Sequence, residues 1–99
     1  MATVTETYIL EQNNDKTDFP SACVARLQAA LDSGAIVSNT LTAITDPARL
    51  VPGKIRHDVV RVFRSEEDRI SFVNANLADA ELQAYIISSG YVQINKVRS

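Results

Sequence analysis

The stretch Ile55-Arg56-His57-Asp58-Val59-Val60-Arg61-Val62-Phe63-Arg64, running straight into Ser65-Glu66-Glu67-Asp68, sets the fold. Its first ten residues hold the β-branched Ile55, Val59, Val60 and Val62 together with Phe63, and read as a strand. Both parities are mixed: Ile55, His57, Val59, Arg61 and Phe63 on one face, Arg56, Asp58, Val60, Val62 and Arg64 on the other. At Ser65 the pattern changes period. Ser65 is an N-cap residue with Asp68 three positions on, in the place of a capping-box acid. The carboxylates of Glu66, Glu67 and Asp68 suit the positive end of a helix dipole. Ile70, Val73 and Leu77 then give this helix an apolar stripe to bury.

Working outward, Ala35 to Thr45 is another strand, with Val37, Leu41 and Ala43 on one face and Ser38, Thr40 and Thr42 on the other. A loop, enclosed by Asp46-Pro47 and Pro52-Gly53, separates it from the third strand. Leu50 and Val51 are expected to pin that loop to the body of the protein. Upstream, Cys23, Val24, Leu27, Ala30 and Leu31 recur at helical spacing, with Arg26 and Gln28 on the wet side. Asp18 is the expected cap, Pro20 is tolerated in the first turn, and Gly34 ends the helix. Val4 to Glu11 is a first strand, with Val4, Tyr8 and Leu10 on one face and Thr5, Thr7 and Ile9 on the other. Downstream, Asn74 to Asp79 interrupts the helical signal, so residues 66–89 form one bent helix or two. Gly90 closes the helical region. Tyr91 to Val97 is the last strand, with Val92 and Ile94 expected inward and Gln93 and Asn95 on the opposite side.

The resulting order, βαββαβ, predicts an α+β ferredoxin-like sandwich: a single domain over residues 1–99, its antiparallel sheet covered by helices on one face. The other face then meets water or another molecule. Its expected residues, Thr5, Thr7, Ile9, Ser38, Thr40, Thr42, Gln93 and Asn95, are mostly neutral and hydrogen-bonding. A solvated face would carry more Lys and Glu. This composition predicts a homodimer formed sheet to sheet.

Composition narrows the function classes. Ten Lys+Arg against twelve Asp+Glu give a net charge of −2, which offers no attraction to nucleic acid or anionic membranes. One cysteine excludes an intramolecular disulfide and points to a reducing, cytoplasmic setting. No run approaches the roughly 20 apolar residues of a membrane span. The three glycines cannot build a phosphate cradle, and Cys-x-x-Cys is lacking. No metal site and no cofactor is expected.

At the junction Val59-Val60-Arg61-Val62-Phe63-Arg64-Ser65-Glu66-Glu67-Asp68, and again at Ser89-Gly90-Tyr91, the chain resembles the dimeric α/β barrels. That resemblance implies two ferredoxin-like subunits packed through their sheets. The superfamily includes cofactor-independent monooxygenases related to antibiotic biosynthesis, haem-degrading enzymes and small isomerases. No catalytic motif transfers residue by residue, and Trp is absent. The function thus stays unknown at this level. A small organic ligand bound between the sheets is the leading reading. A monooxygenase-like or isomerase-like enzyme and a protein-interaction or regulatory module are the alternatives. The candidate ligand-binding residues are His57, Arg61, Thr40 and Gln93. His57 is the only histidine and shares a strand face with Arg61. A structural or surface histidine is the commoner role for a lone one.

Overall fold

The computed structural model describes residues 2–99. Four strands, β1 (Val4–Asn13), β2 (Ile36–Ala43), β3 (Lys54–Phe63) and β4 (Val92–Arg98), form one antiparallel sheet in the order β2-β3-β1-β4. Helix α1 (Ser21–Ser33) joins β1 to β2, while α2 (Glu66–Leu77) and α3 (Ala80–Ser89) join β3 to β4. This is the ferredoxin-like βαββαβ arrangement, with its first and third strands central.

The interruption at Asn74 to Asp79 resolves into two helices. Asp79 turns extended and its side chain accepts from the Leu82 backbone N–H, capping α3. Ser65 caps α2 by accepting from Asp68 N–H. The start of α1 differs from expectation: Asp18 does not cap it. Pro20 disfavours helical geometry in the residue before it, stays extended itself, and the helix begins at Ser21 without a side-chain cap. Phe19 anchors this entry instead, lying 4.9 Å from the Tyr85 ring and 5.9 Å from that of Tyr91.

Strand register corrects two face assignments. In β1 the inward residues are Val4, Glu6, Tyr8, Leu10 and Gln12, and in β3 they are Ile55, His57, Val59, Arg61 and Phe63. Each edge strand carries a bulge. In β2 the register shifts between Ile36 and Ser38, so Ile36 and then Asn39 and Leu41 all align with inward residues of β3, while Val37 is exposed. In β4 the shift falls opposite Tyr8, where Asn95 adopts a positive φ of 53°. Gln93 therefore pairs with inward Leu10, whereas Val92 and Ile94 pair with outward Glu11 and Ile9. This reverses the expected faces of Val92, Gln93 and Ile94. A bulge adds one residue and so resets the side-chain alternation beyond it.

The core is two clusters. Ile36, Phe63 and Phe72 pack with Leu27 and Leu31 at one end; Tyr8, Leu10 and Val59 pack with Phe19 and Tyr91 at the other. In α2 it is Phe72 that turns inward, 5.9 Å from Phe63, while Ile70 and Leu77 are exposed, contrary to the expected stripe. The loop residues Leu50 and Val51 are also exposed rather than pinned. Helix α1 buries no residue completely, so the helix layer stands off the middle of the sheet. No helix among the described residues is long and apolar enough to cross a membrane.

Phe63 has no exposed surface, and Phe63→Ala is expected to cost about 3–5 kcal/mol in urea unfolding. Ile70→Ala, at a position 44% exposed, is expected to stay within about 0.5 kcal/mol. Equal costs would contradict this account of α2.

Candidate functional site

Between the two clusters, beneath α1, α2 and α3, lies an open cavity of about 500 Å³. Its floor is the inward sheet face and its walls are mainly apolar, including Leu27, Phe63, Phe72 and Leu82. Exposed Val24, Leu41 and Leu77 stand at its margin. The size and the mostly apolar lining suit a small organic molecule.

A polar row crosses this floor. Register aligns Asn39 of β2, Arg61 of β3, Glu6 of β1 and Arg98 of β4 side by side on the inward face. The next inward row toward one end holds Ile36, Phe63 and Val4, and the next toward the other holds Leu41, Val59 and Tyr8. Both edge members of the polar row follow a bulge. Without those bulges, the alternation would turn Asn39 and Arg98 to the opposite face.

Arg61 Nε donates to Asn39 Oδ1 at 2.8 Å, and its guanidinium carbon lies 5.4 Å from the Phe72 ring centre. Glu6, almost fully buried, accepts from Arg98 at 3.1 Å and lies 3.6 Å from Lys96 Nζ. Lys96 also sits 5.6 Å from the centre of the Tyr8 ring and donates to Gln93 Oε1 at 2.9 Å. Gln93 in turn donates to the Tyr91 hydroxyl at 2.9 Å. Burial, reinforced by the neighbouring Tyr8, pushes the Tyr91 hydroxyl far above the ordinary range, so it stays protonated. Burial likewise raises the Cys23 thiol, only partly offset by Arg26. A protonated thiol is a poor nucleophile. The site is equipped to bind and orient through hydrogen bonds and positive charge.

The roof is held by Arg26 of α1. It donates to Asn76 Oδ1 at 2.7 Å and to Asp79 Oδ2 at 2.6 Å, tying α1 to the joint between α2 and α3. The expected wet-side arginine is thus a clamp.

Of the four residues singled out from sequence, Arg61 and Gln93 border the cavity. His57 shares their face and lies in one row with Ala43, Leu10 and Gln93. Four residues along a strand separate His57 from Arg61 by about 13 Å, too far to grip one functional group. His57 Nδ1 is buried without a hydrogen-bond partner. Thr40 pairs with Val60 on the outer face, away from the cavity. Glu6, Asn39 and Lys96 were not anticipated. An acidic residue at the inward parity of β1, between Val4 and Tyr8, was the available signal for Glu6. Among the described residues, no three His, Cys, Asp or Glu side chains gather as metal ligands.

The outer face carries Thr7, Ile9, Thr40, Val60, Val62, Ile94 and Val97 across its middle. Its charges lie toward one end: Arg56 pairs with Glu11 at 2.8 Å, Arg49 pairs with Asp58 at 2.7 Å, and Lys54 Nζ donates to the amide oxygen of Asn13. A shallower depression of about 340 Å³ lies there beside Thr7, Asp58 and Asn95.

No known protein family model matches this chain. No curated protein matches it either. Among solved structures, one from Chloroflexus aurantiacus J-10-fl, itself only provisionally assigned as an antibiotic biosynthesis monooxygenase, is similar. It shares 16% identity at a TM-score of 0.49, over 99% of this chain and 91% of that one.

The Arg26 bond is the main reason the Asp79 carboxyl is held below its usual range, with the Leu82 N–H second. A depressed carboxyl contributes stability above its unfolded value, about 3.9, and loses it as pH falls through the folded value. Native protein is therefore expected to lose stability relative to Arg26→Met as pH drops from about 5 through that window. Parallel pH curves for the two proteins in urea unfolding would show that the clamp contributes nothing.

Proposed function

We propose that the chain acts as a homodimer, joined through the outer sheet faces, in which each protomer holds one small organic molecule between its sheet and its helices. The observation that carries the ligand reading is the cavity of about 500 Å³, with aromatic walls and a polar row on its floor. Apolar walls supply affinity, and a few convergent polar groups fix orientation. This reading puts the ligand under the helices of one protomer, a different place from the between-sheet cavity expected from sequence. The lone cysteine, held as a thiol, suits a reducing cytoplasm.

The dimer reading rests on the outer face. Its centre is neutral and β-branched, and the ion pairs at its end are already satisfied within the protomer. The centre of such a face can be covered without stranding a charge.

Two substitutions separate these parts. Val60→Lys places a charge at the centre of the outer face and is expected to halve the mass seen by light scattering. Because the cavity is built from one protomer's residues, this variant should still bind the neutral fluorescent probe N-phenyl-1-naphthylamine. Cys23→Phe, filling the cavity from α1, is expected to weaken that probe about tenfold, the worth of roughly 1.4 kcal/mol, while leaving the dimer intact. A native protein that is monomeric at all concentrations ends the dimer reading. Unchanged probe affinity in Cys23→Phe ends the cavity reading.

A further inference from the structure

Among the described residues, every arginine but one has a carboxylate partner. Arg26 pairs with Asp79, Arg49 with Asp58, Arg56 with Glu11, Arg64 with Asp68, Arg69 with Glu66 and Arg98 with Glu6. The exception is Arg61, and Arg61 is the arginine on the cavity floor. Its cross-strand neighbour Glu6 is the only carboxylate lining the cavity, and it is engaged by Arg98 and Lys96. Lining cations, Arg61 and Lys96, therefore outnumber lining carboxylates, although the whole chain carries a net charge of −2.

Taking the cavity as the binding site, we infer that its ligand is an organic acid, an aromatic or similarly flat body bearing a carboxylate or comparable acidic oxygen, and that Arg61 is the residue that receives the acid. A guanidinium stays charged at all physiological pH and cannot escape a partly apolar site by losing its proton. Leaving it unpaired there is costly, and an incoming anion removes that cost. The geometry is arranged for this. Asn39 occupies Nε, and the Phe72 ring lies 5.4 Å from the guanidinium carbon, which leaves the two terminal nitrogens as the free fork. A planar fork matches the two oxygens of a carboxylate. Lys96 is a weaker candidate because it already has Glu6 and Gln93 as partners.

The test uses displacement of N-phenyl-1-naphthylamine from the native protein by 1-naphthoate and by 1-naphthamide, which share a ring body and differ in charge. Naphthoate is expected to displace the probe at about tenfold lower concentration, as one charge-assisted contact allows. In Arg61→Met that advantage should vanish while naphthamide changes less than about twofold; in Lys96→Met it should persist. Should Arg61→Met fail to fold by circular dichroism, Arg61→Lys keeps the charge but loses the fork and is expected to retain only part of the preference. Equal displacement by the two compounds in native protein would overturn the inference while leaving the cavity reading standing. So would a preference that survives Arg61→Met and disappears in Lys96→Met. A native protein that takes up no probe would end both.

Discussion

Burial of the Glu6 carboxylate within a polar row that crosses the sheet is the constraint to which the rest of this structure answers. Asn39, Arg61, Glu6 and Arg98 cross the sheet between two apolar clusters that cannot merge over them. Charged groups removed from water need partners, and apolar side chains do not supply them. The helix layer therefore closes on the sheet at its ends, where Phe72 meets Phe63 and where Phe19 and Tyr91, flanking the helices, pack against Tyr8, Leu10 and Val59. Space remains above the row. The cavity is the geometric remainder of a core that its own polar floor prevents from becoming continuous.

Holding a roof over open space requires something other than packing. Helix α1 has no completely buried residue, and its apolar contact is the partly buried side of Leu27, Ala30 and Leu31 against one cluster. Arg26 adds a directional contact, reaching two acceptors at the α2–α3 joint. The break between those helices, set by the Asp79 cap, is what puts an acid and an amide within reach of one guanidinium. A single continuous helix over residues 66–89 would carry both along a straight axis.

The architecture was legible because it rests on local signals. Ser65 before three acids, Gly34 and Gly90 after helical runs, and β-branched segments between turns are each enough to place an element. The third strand carried the site in plain view, since Arg61 sits at the same parity as Val59 and Phe63. What escaped was phase. Simple alternation puts Gln93 outward and Val92 inward, and only the register reverses them. Bulges leave little trace in composition, because Asn95 and the pair Ile36-Val37 are ordinary residues for any strand end. The inward side of α2 was missed for a different reason. Phe72 faces the core beside polar Arg69 and Asn76, and a search for apolar periodicity discounts such a stripe.

The two bulges give the molecule an unusual separation between its composition and its local character. The chain as a whole is acidic, yet one unpaired extra residue in β4 turns Lys96 and Arg98 toward Glu6 on the inward face, and one in β2 brings Asn39 to meet Arg61. The charge of the cavity thus depends on strand length as well as on the choice of amino acids. A chain with the same residues but one fewer at Asn95 would present Lys96 and Arg98 to the opposite face and leave Arg61 as the cation beside Glu6. Insertion and deletion, usually tolerated only in loops, are here the mutations that would rewrite what the interior recognises.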